Sequence, residues 1–96
     1  MKNVELDQVI HQPVRTKIIA FLANSGASDF TTLKKALDLT DGHMSTHMKL
    51  LVENGYVDVE KTFVDNKPKT TYEISKEGRK KFTEYINVLR ALVTGK

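Results

Sequence analysis

Leu39-Thr40-Asp41-Gly42-His43-Met44-Ser45-Thr46-His47-Met48-Lys49-Leu50-Leu51-Val52-Glu53-Asn54-Gly55-Tyr56-Val57 is the stretch that decides the fold. Thr40 is a good N-cap, because its hydroxyl can accept from one of the first helical amides, which have no partner within the helix. At 100° per residue, Met44, Met48 and Leu51 fall in one narrow sector, so the helix has a single apolar face to bury. Asn54-Gly55 ends it, since these residues tolerate the left-handed backbone that closes helices. Opposite the apolar sector stand Gly42, Thr46, Lys49 and Glu53, flanked by His43, Ser45 and Leu50. The outward strip is small, polar and hydrogen-bonding.

Working upstream, Asp29 is an N-cap for a helix carrying Phe30, Leu33, Ala36 and Leu37, and only Asp38-Leu39 then precedes the Thr40 cap. Two helices joined by so short a connection must cross steeply, as in a helix-turn-helix. A further helix opens at Pro13, whose fixed φ suits a first turn, repeats Val14, Ile18, Phe21 and Leu22 on one face, and ends before Gly26. Asn24-Ser25-Gly26-Ala27-Ser28 reads as the following loop. Before Pro13, Val4, Leu6, Val9 and Ile10 form a short amphipathic segment, expected to be helical and to meet a partner surface because so small a domain offers no obvious place to bury it.

Downstream the period changes to two. Val57, Val59 and Phe63 alternate with Asp58, Glu60 and Thr62, and Thr70-Thr71-Tyr72-Glu73-Ile74 answers with Tyr72 and Ile74, which predicts a β-hairpin. Val64-Asp65-Asn66-Lys67-Pro68-Lys69 holds the turn chemistry, so a basic tip is expected, with Asp65 departing from it. Ser75 caps a last helix to about Thr94, with Lys76, Arg79, Lys80 and Lys81 in its first two turns and Phe82, Tyr85, Ile86, Leu89, Leu92 and Val93 as its apolar stripe. Basic and apolar residues follow one another along this helix instead of occupying opposite faces, which fits a dimer seam of roughly 3.5-residue spacing better than a membrane-surface helix.

The chain has 96 residues, 15 Lys or Arg against 12 Asp or Glu, and no Cys. This is the size of one domain. Lacking Cys, it has no disulfide framework, no cysteine zinc site and no thiol catalysis. No stretch approaches the roughly 20 apolar residues that span a bilayer, and no signal segment is visible, so a cytoplasmic protein is expected. Residues 1–57 hold six basic and six acidic side chains, 58–74 three and four, and 75–96 six and two, so the whole excess of +3 lies in the last quarter. Any nucleic-acid surface in the first three quarters therefore depends on hydrogen bonds more than on net charge.

With the Gln12-Pro13-Val14-Arg15 opening, the Ser-x-His-hydrophobe run at Ser45-Thr46-His47-Met48, the Gly55-Tyr56-Val57 entry to the hairpin, its Tyr72-Glu73-Ile74-Ser75 exit and the Glu77-Gly78-Arg79 start of the last helix, the chain resembles compact winged helix-turn-helix regulators of the MarR and ArsR type from about Leu6 to Leu92. The fold expected is mainly α with a small β-hairpin (α+β), a single domain over residues 1–96 with a recognition helix at about 40–54, a wing at about 56–74 and a dimerisation helix at about 75–94. The resemblance implies a homodimer on double-stranded DNA, the third helix in the major groove, the wing at an adjacent minor groove and the terminal helices as the dimer contact.

The residues expected at DNA are Thr40, Gly42, His43, Ser45 and Thr46 near the helix N-terminus, where short polar side chains read base edges, with Lys49, Lys67 and Lys69 at phosphates. Those expected in the dimer are Leu6, Val9, Ile10, Phe82, Tyr85, Ile86, Leu89, Leu92 and Val93. Asp41 reads as a helix-start residue rather than a base reader. His43 and His47 have a spacing that can share a metal, yet Met44 occupies the place of a metalloprotease glutamate and no third ligand is evident, so neither a metal nor a cofactor is expected. No phosphate loop or nucleophile elbow is present, and no enzyme activity is expected. The competing reading is a winged-helix module for protein–protein interaction without specific DNA binding. A small-molecule effector would have to bind at the dimer interface or between the helix-turn-helix and the last helix.

Overall fold

The computed structural model describes residues 5–95, so Val4 of the N-terminal segment lies outside the described residues. The chain runs through α1 (Pro13–Ser25), β1 (Ser28–Asp29), α2 (Phe30–Ala36), α3 (Asp41–Glu53), β2 (Val57–Val64), β3 (Lys67–Ile74) and α4 (Lys76–Thr94). Each helix start has a side-chain oxygen where the orphan amides need one. Gln12 accepts from Arg15 N, Asp29 from Thr32 N, Thr40 from His43 N and Ser75 from Gly78 N, all between 2.8 and 3.1 Å. Burial of the Asp29 carboxylate opposes ionisation, but the amide and hydroxyl of Thr32, with Lys69 adding a little, hold its pKa below the usual aspartate value.

The apolar faces converge on one core of Ile10, Ile18, Ile19, Leu22, Leu33, Met44, Met48, Leu51, Tyr56, Val57, Ile74 and Tyr85. All four helices and the base of the hairpin meet there. The connection from α2 to α3 is as short as expected, with Asp38 at φ 52° making the turn.

The N-terminal segment differs from the expected exposed helix. Residues 8–10 form a turn, fixed by Asp7 Oδ1 accepting from Val9 N at 2.8 Å and Ile10 N at 3.1 Å, and Tyr56 Oη donates to the other carboxylate oxygen at 2.6 Å. Burial first, and the Asp7 carboxylate second, push the Tyr56 phenol well above its ordinary pKa. The turn places Ile10 wholly inside the chain's own core, which is the burial site that sequence spacing did not reveal.

The sheet has three antiparallel strands in the order β1-β3-β2. The two-residue β1 exists because β3 offers an edge: Ser28 pairs with Tyr72 and Asp29 with Thr71. Its strand pairing falls where sequence alone shows only a loop and a helix cap. On the other edge β2 pairs with β3 from Val57↔Ile74 to Val64↔Lys67. Only the first rungs touch the core. Val59 is 41% exposed and Phe63 77% exposed, so the outer hairpin is an arm, and the molecule measures 53 × 24 × 21 Å.

At the root of the arm, Gly78 sits against the Tyr56 carbonyl, and a Cβ there would come within 2.0 Å of that oxygen. Ser75 secures the same corner, its hydroxyl donating to Gly55 O at 2.6 Å and its amide to Tyr56 O at 3.0 Å. This joint sets how α4 and the hairpin leave the body.

Candidate nucleic-acid interface

Helix α3 buries Met44, Met48 and Leu51 and turns Gly42, His43, Ser45, Thr46, Lys49 and Glu53 to the surface together. Thr40, also exposed, is occupied in capping His43 N at 3.1 Å, so its hydroxyl proton remains available to an acceptor. Leu50, 39% exposed, adds one apolar side chain to the strip. Asp41 makes an ion pair with Lys34 of α2, Nζ to Oδ1 at 2.7 Å. That pair bridges the two helices and neutralises the carboxylate nearest the N-terminus of α3, where an anion such as phosphate is otherwise favoured.

One flank of α3 faces α1. His47 is partly buried there, its Nδ1 3.0 Å from Arg15 Nη1. A guanidinium has donors only, so Nδ1 accepts and the imidazole proton sits on Nε2. Burial first, then the nearby Arg15 and His43 charges, hold the His47 pKa below the ordinary histidine value. Arg15 also donates from Nε to Val9 O and from Nη2 to Gln8 O at 3.3 Å, tying the N-terminal turn to α3. Sequence reasoning missed this role of Arg15, because it lies 32 positions from His47 in the chain.

The opposite flank faces the hairpin, where Ser45, Lys49 and Glu53 line a shared groove with Val59, Lys61 and Tyr72. Lys61, on β2, was also missed. Side chains alternate across a strand, so the pairs Val59↔Tyr72, Lys61↔Thr70 and Phe63↔Pro68 share the face that meets α3.

The expected basic tip is corrected. Asp65 and Asn66, at φ 52° and 63°, form the two-residue turn, with the positive φ at both positions that a tight hairpin of this twist requires. Lys67 and Lys69 belong to β3, opposite Val64 and Thr62. They project from the face away from α3, shared with Asp58, Glu60 and Glu73 by alternation, and Lys69 Nζ lies 3.9 Å from Asp29 Oδ2.

The set expected for dimerisation also changes. Ile10 and Tyr85 are core residues of one protomer, and Tyr85 Oη is 2.9 Å from His11 Nδ1, so neither offers a surface to a second copy. Leu6, Val9, Phe82, Ile86 and Leu89 are half-buried against that core. Leu92, 46% exposed, and Val93, 77% exposed, continue the stripe outward. Of the basic residues early in α4, Arg79 reaches Ala23 O at 3.4 Å and Lys81 pairs with Glu77 at 3.8 Å. Among the described residues no cluster of three or more His, Asp or Glu side chains could hold a metal, and no helix is long and apolar enough to cross a membrane.

The family model for the winged helix DNA-binding domain matches residues 14–93. The chain belongs to the winged helix DNA-binding domain family. It is 37% identical over 79 residues to an uncharacterized protein of Methanocaldococcus jannaschii, a match covering 82% of this chain and 86% of the relative. The solved structure of a transcriptional regulator homologue from Pyrococcus horikoshii OT3 is 30% identical, covers 96% of this chain and 91% of that one, and superposes with a TM-score of 0.88. An ArsR family transcriptional regulator of 18% identity shares the fold alone, at a TM-score of 0.59 over 93% of this chain and 87% of that one. The protein is thus a winged-helix member of a DNA-binding transcriptional regulator family. In that fold α2 and α3 form the helix-turn-helix, and the β2–β3 hairpin is the wing.

Proposed function

We propose that the protein is a homodimeric transcriptional regulator that binds specific sequences of double-stranded DNA, with α3 in the major groove and the wing at the neighbouring minor groove. The observation that carries this reading is the exposed strip of α3. Gly42, His43, Ser45, Thr46 and Lys49 stand outward together, while Met44, Met48 and Leu51 anchor the helix in the core. A major groove admits one helix, and short hydroxyl and imidazole side chains near its N-terminus reach base edges. Gly42 lets the backbone come close, and Leu50 suits a thymine methyl. Lys49 and Lys61 supply phosphate contacts on the wing side.

Two copies place two α3 helices in successive major grooves, about 34 Å apart on a partly palindromic site. The seam proposed for the pair is Phe82, Ile86, Leu89, Leu92 and Val93 of α4, with Leu6 and Val9 beside it. Leu92→Glu combined with Val93→Glu leaves the protomer core intact and is expected to yield monomers in sedimentation. A stable dimer of that variant places the seam elsewhere.

A mobility-shift titration against random duplex at two salt concentrations tests DNA binding itself. Retention that weakens steeply with salt is expected, because released counterions drive such binding. Absence of salt-sensitive retention favours the other use of this fold, as a module for a polypeptide partner.

A further inference from the structure

We propose that Phe63 is an apolar wedge that enters the minor groove and unstacks a base step, so that the wing grips duplex by shape and bending rather than by a basic tip. The proposal rests on the DNA-binding reading above and adds the manner in which the arm engages the duplex.

Phe63 is 77% exposed, and its register partner Pro68 is a rigid apolar residue. Pro68 is exposed as well, so the two side chains form one apolar patch. An aromatic ring beside a rigid apolar residue at the end of an arm is contiguous exposed apolar surface, which marks a place of contact. The core is not its destination, since the rungs beyond Val59↔Tyr72 do not touch it.

Its position selects the occupant. Phe63 lies on the same face of the wing as Lys61, and Lys61 shares a groove with Ser45 and Lys49 of α3. A duplex seated on α3 therefore lies on the side to which Phe63 points. The tight turn at Asp65-Asn66 leaves only the Val64↔Lys67 rung between Phe63 and the tip, which puts the ring at the arm's far reach. A minor groove about 6 Å wide is too narrow for a two-stranded ribbon, so a single side chain has to make the entry. Apolar wedges, Phe among them, enter there by parting base steps and kinking the duplex. Lys67 and Lys69 project from the opposite face on the two neighbouring rungs, where they can reach the phosphates that wall the groove.

The test uses a duplex of about 30 base pairs enriched by the wild-type chain from a random pool, end-labelled for energy transfer and carrying 2-aminopurine at the steps flanking the two α3 half-sites. The wild type is expected to raise 2-aminopurine fluorescence and bring the ends closer. Phe63→Ala is expected to lose both signals and bind roughly tenfold more weakly. Its salt slope should stay parallel to that of the wild type, because the ring carries no charge. Phe63→Leu should restore both signals, since an apolar wedge need not be aromatic. Phe63→Ala that binds and bends DNA as the wild type does overturns the wedge and leaves the DNA-binding reading standing. A salt slope that falls together with affinity overturns it too, making Phe63 a prop for the arm's lysines, and so does a change in self-association alone. A wild type that enriches no duplex defeats the DNA-binding reading itself, a different result from any of these.

Discussion

Helix α3 and the outer half of the wing carry side chains of similar polarity, but they hold them in opposite ways. Helix α3 divides its circumference: Met44, Met48 and Leu51 are locked into the core, so Ser45, Thr46 and Lys49 have fixed directions. The outer wing buries neither face, and Lys61, Phe63, Lys67 and Lys69 are all exposed. Its geometry comes from the ladder and the Asp65-Asn66 turn alone. Sequence discrimination needs groups held by a packed scaffold, whereas phosphate contact and wedging tolerate an arm that adapts. On the proposed function, the difference suits α3 to base reading and the wing to grip.

The division can be broken first by stability. Leu51→Ala removes a fully buried side chain and is expected to cost about 2–5 kcal/mol, while Phe63→Ala should change stability by no more than about 0.5 kcal/mol, both read from urea unfolding. Equal losses would mean that the arm is packed after all.

A smaller effect separates the two faces of the wing. Lys61→Ala is expected to reduce the salt slope of duplex binding by about one per protomer. Lys69→Ala should reduce it less, because that ammonium faces away from α3 and lies 3.9 Å from the Asp29 carboxylate. The reverse order would move the DNA to the other face of the wing.

The smallest effect concerns pH. His47 in the folded protein has a lowered pKa, owing first to burial and then to Arg15 and His43. As pH falls through the unfolded histidine value of about 6.5, the unfolded chain takes up a proton that the folded chain resists. Stability contributed by neutral His47 is therefore present above that pH and is lost on acidification. His47→Gln should flatten the fall in thermal midpoint between about pH 7 and pH 5.5, and an unchanged profile would show that His47 does not contribute to it.

What could be read from sequence follows the same division. Helical period and caps suffice for α3, because Thr40, the Met44-Met48-Leu51 sector and Asn54-Gly55 each act locally. The hairpin was visible as alternation, but its register depends on where the turn lies. Placing Lys67-Pro68-Lys69 at the tip hid Lys61. The readable signal was Asp65-Asn66, the pair best able to take positive φ, from which counting back in twos aligns Lys61 with Val57 and Val59. Arg15 and Ile10 were harder, since their roles arise from contacts with His47 and the distant core that no local pattern encodes. The stripe on α4 was correct as a pattern but silent about ownership: Tyr85 belongs to its own core, and Leu92 and Val93 remain outside it.

The most direct measurement is selection of duplexes from a random pool by the wild-type chain and, separately, by Thr46→Ala and His43→Ala. If α3 reads bases, the wild type enriches paired half-sites about one helical turn apart, and each variant relaxes preference at particular base pairs by roughly 1–3 kcal/mol without loss of fold. Recovery of the same sequences with the same preferences by all three proteins, or enrichment of none by the wild type, would contradict base reading by α3.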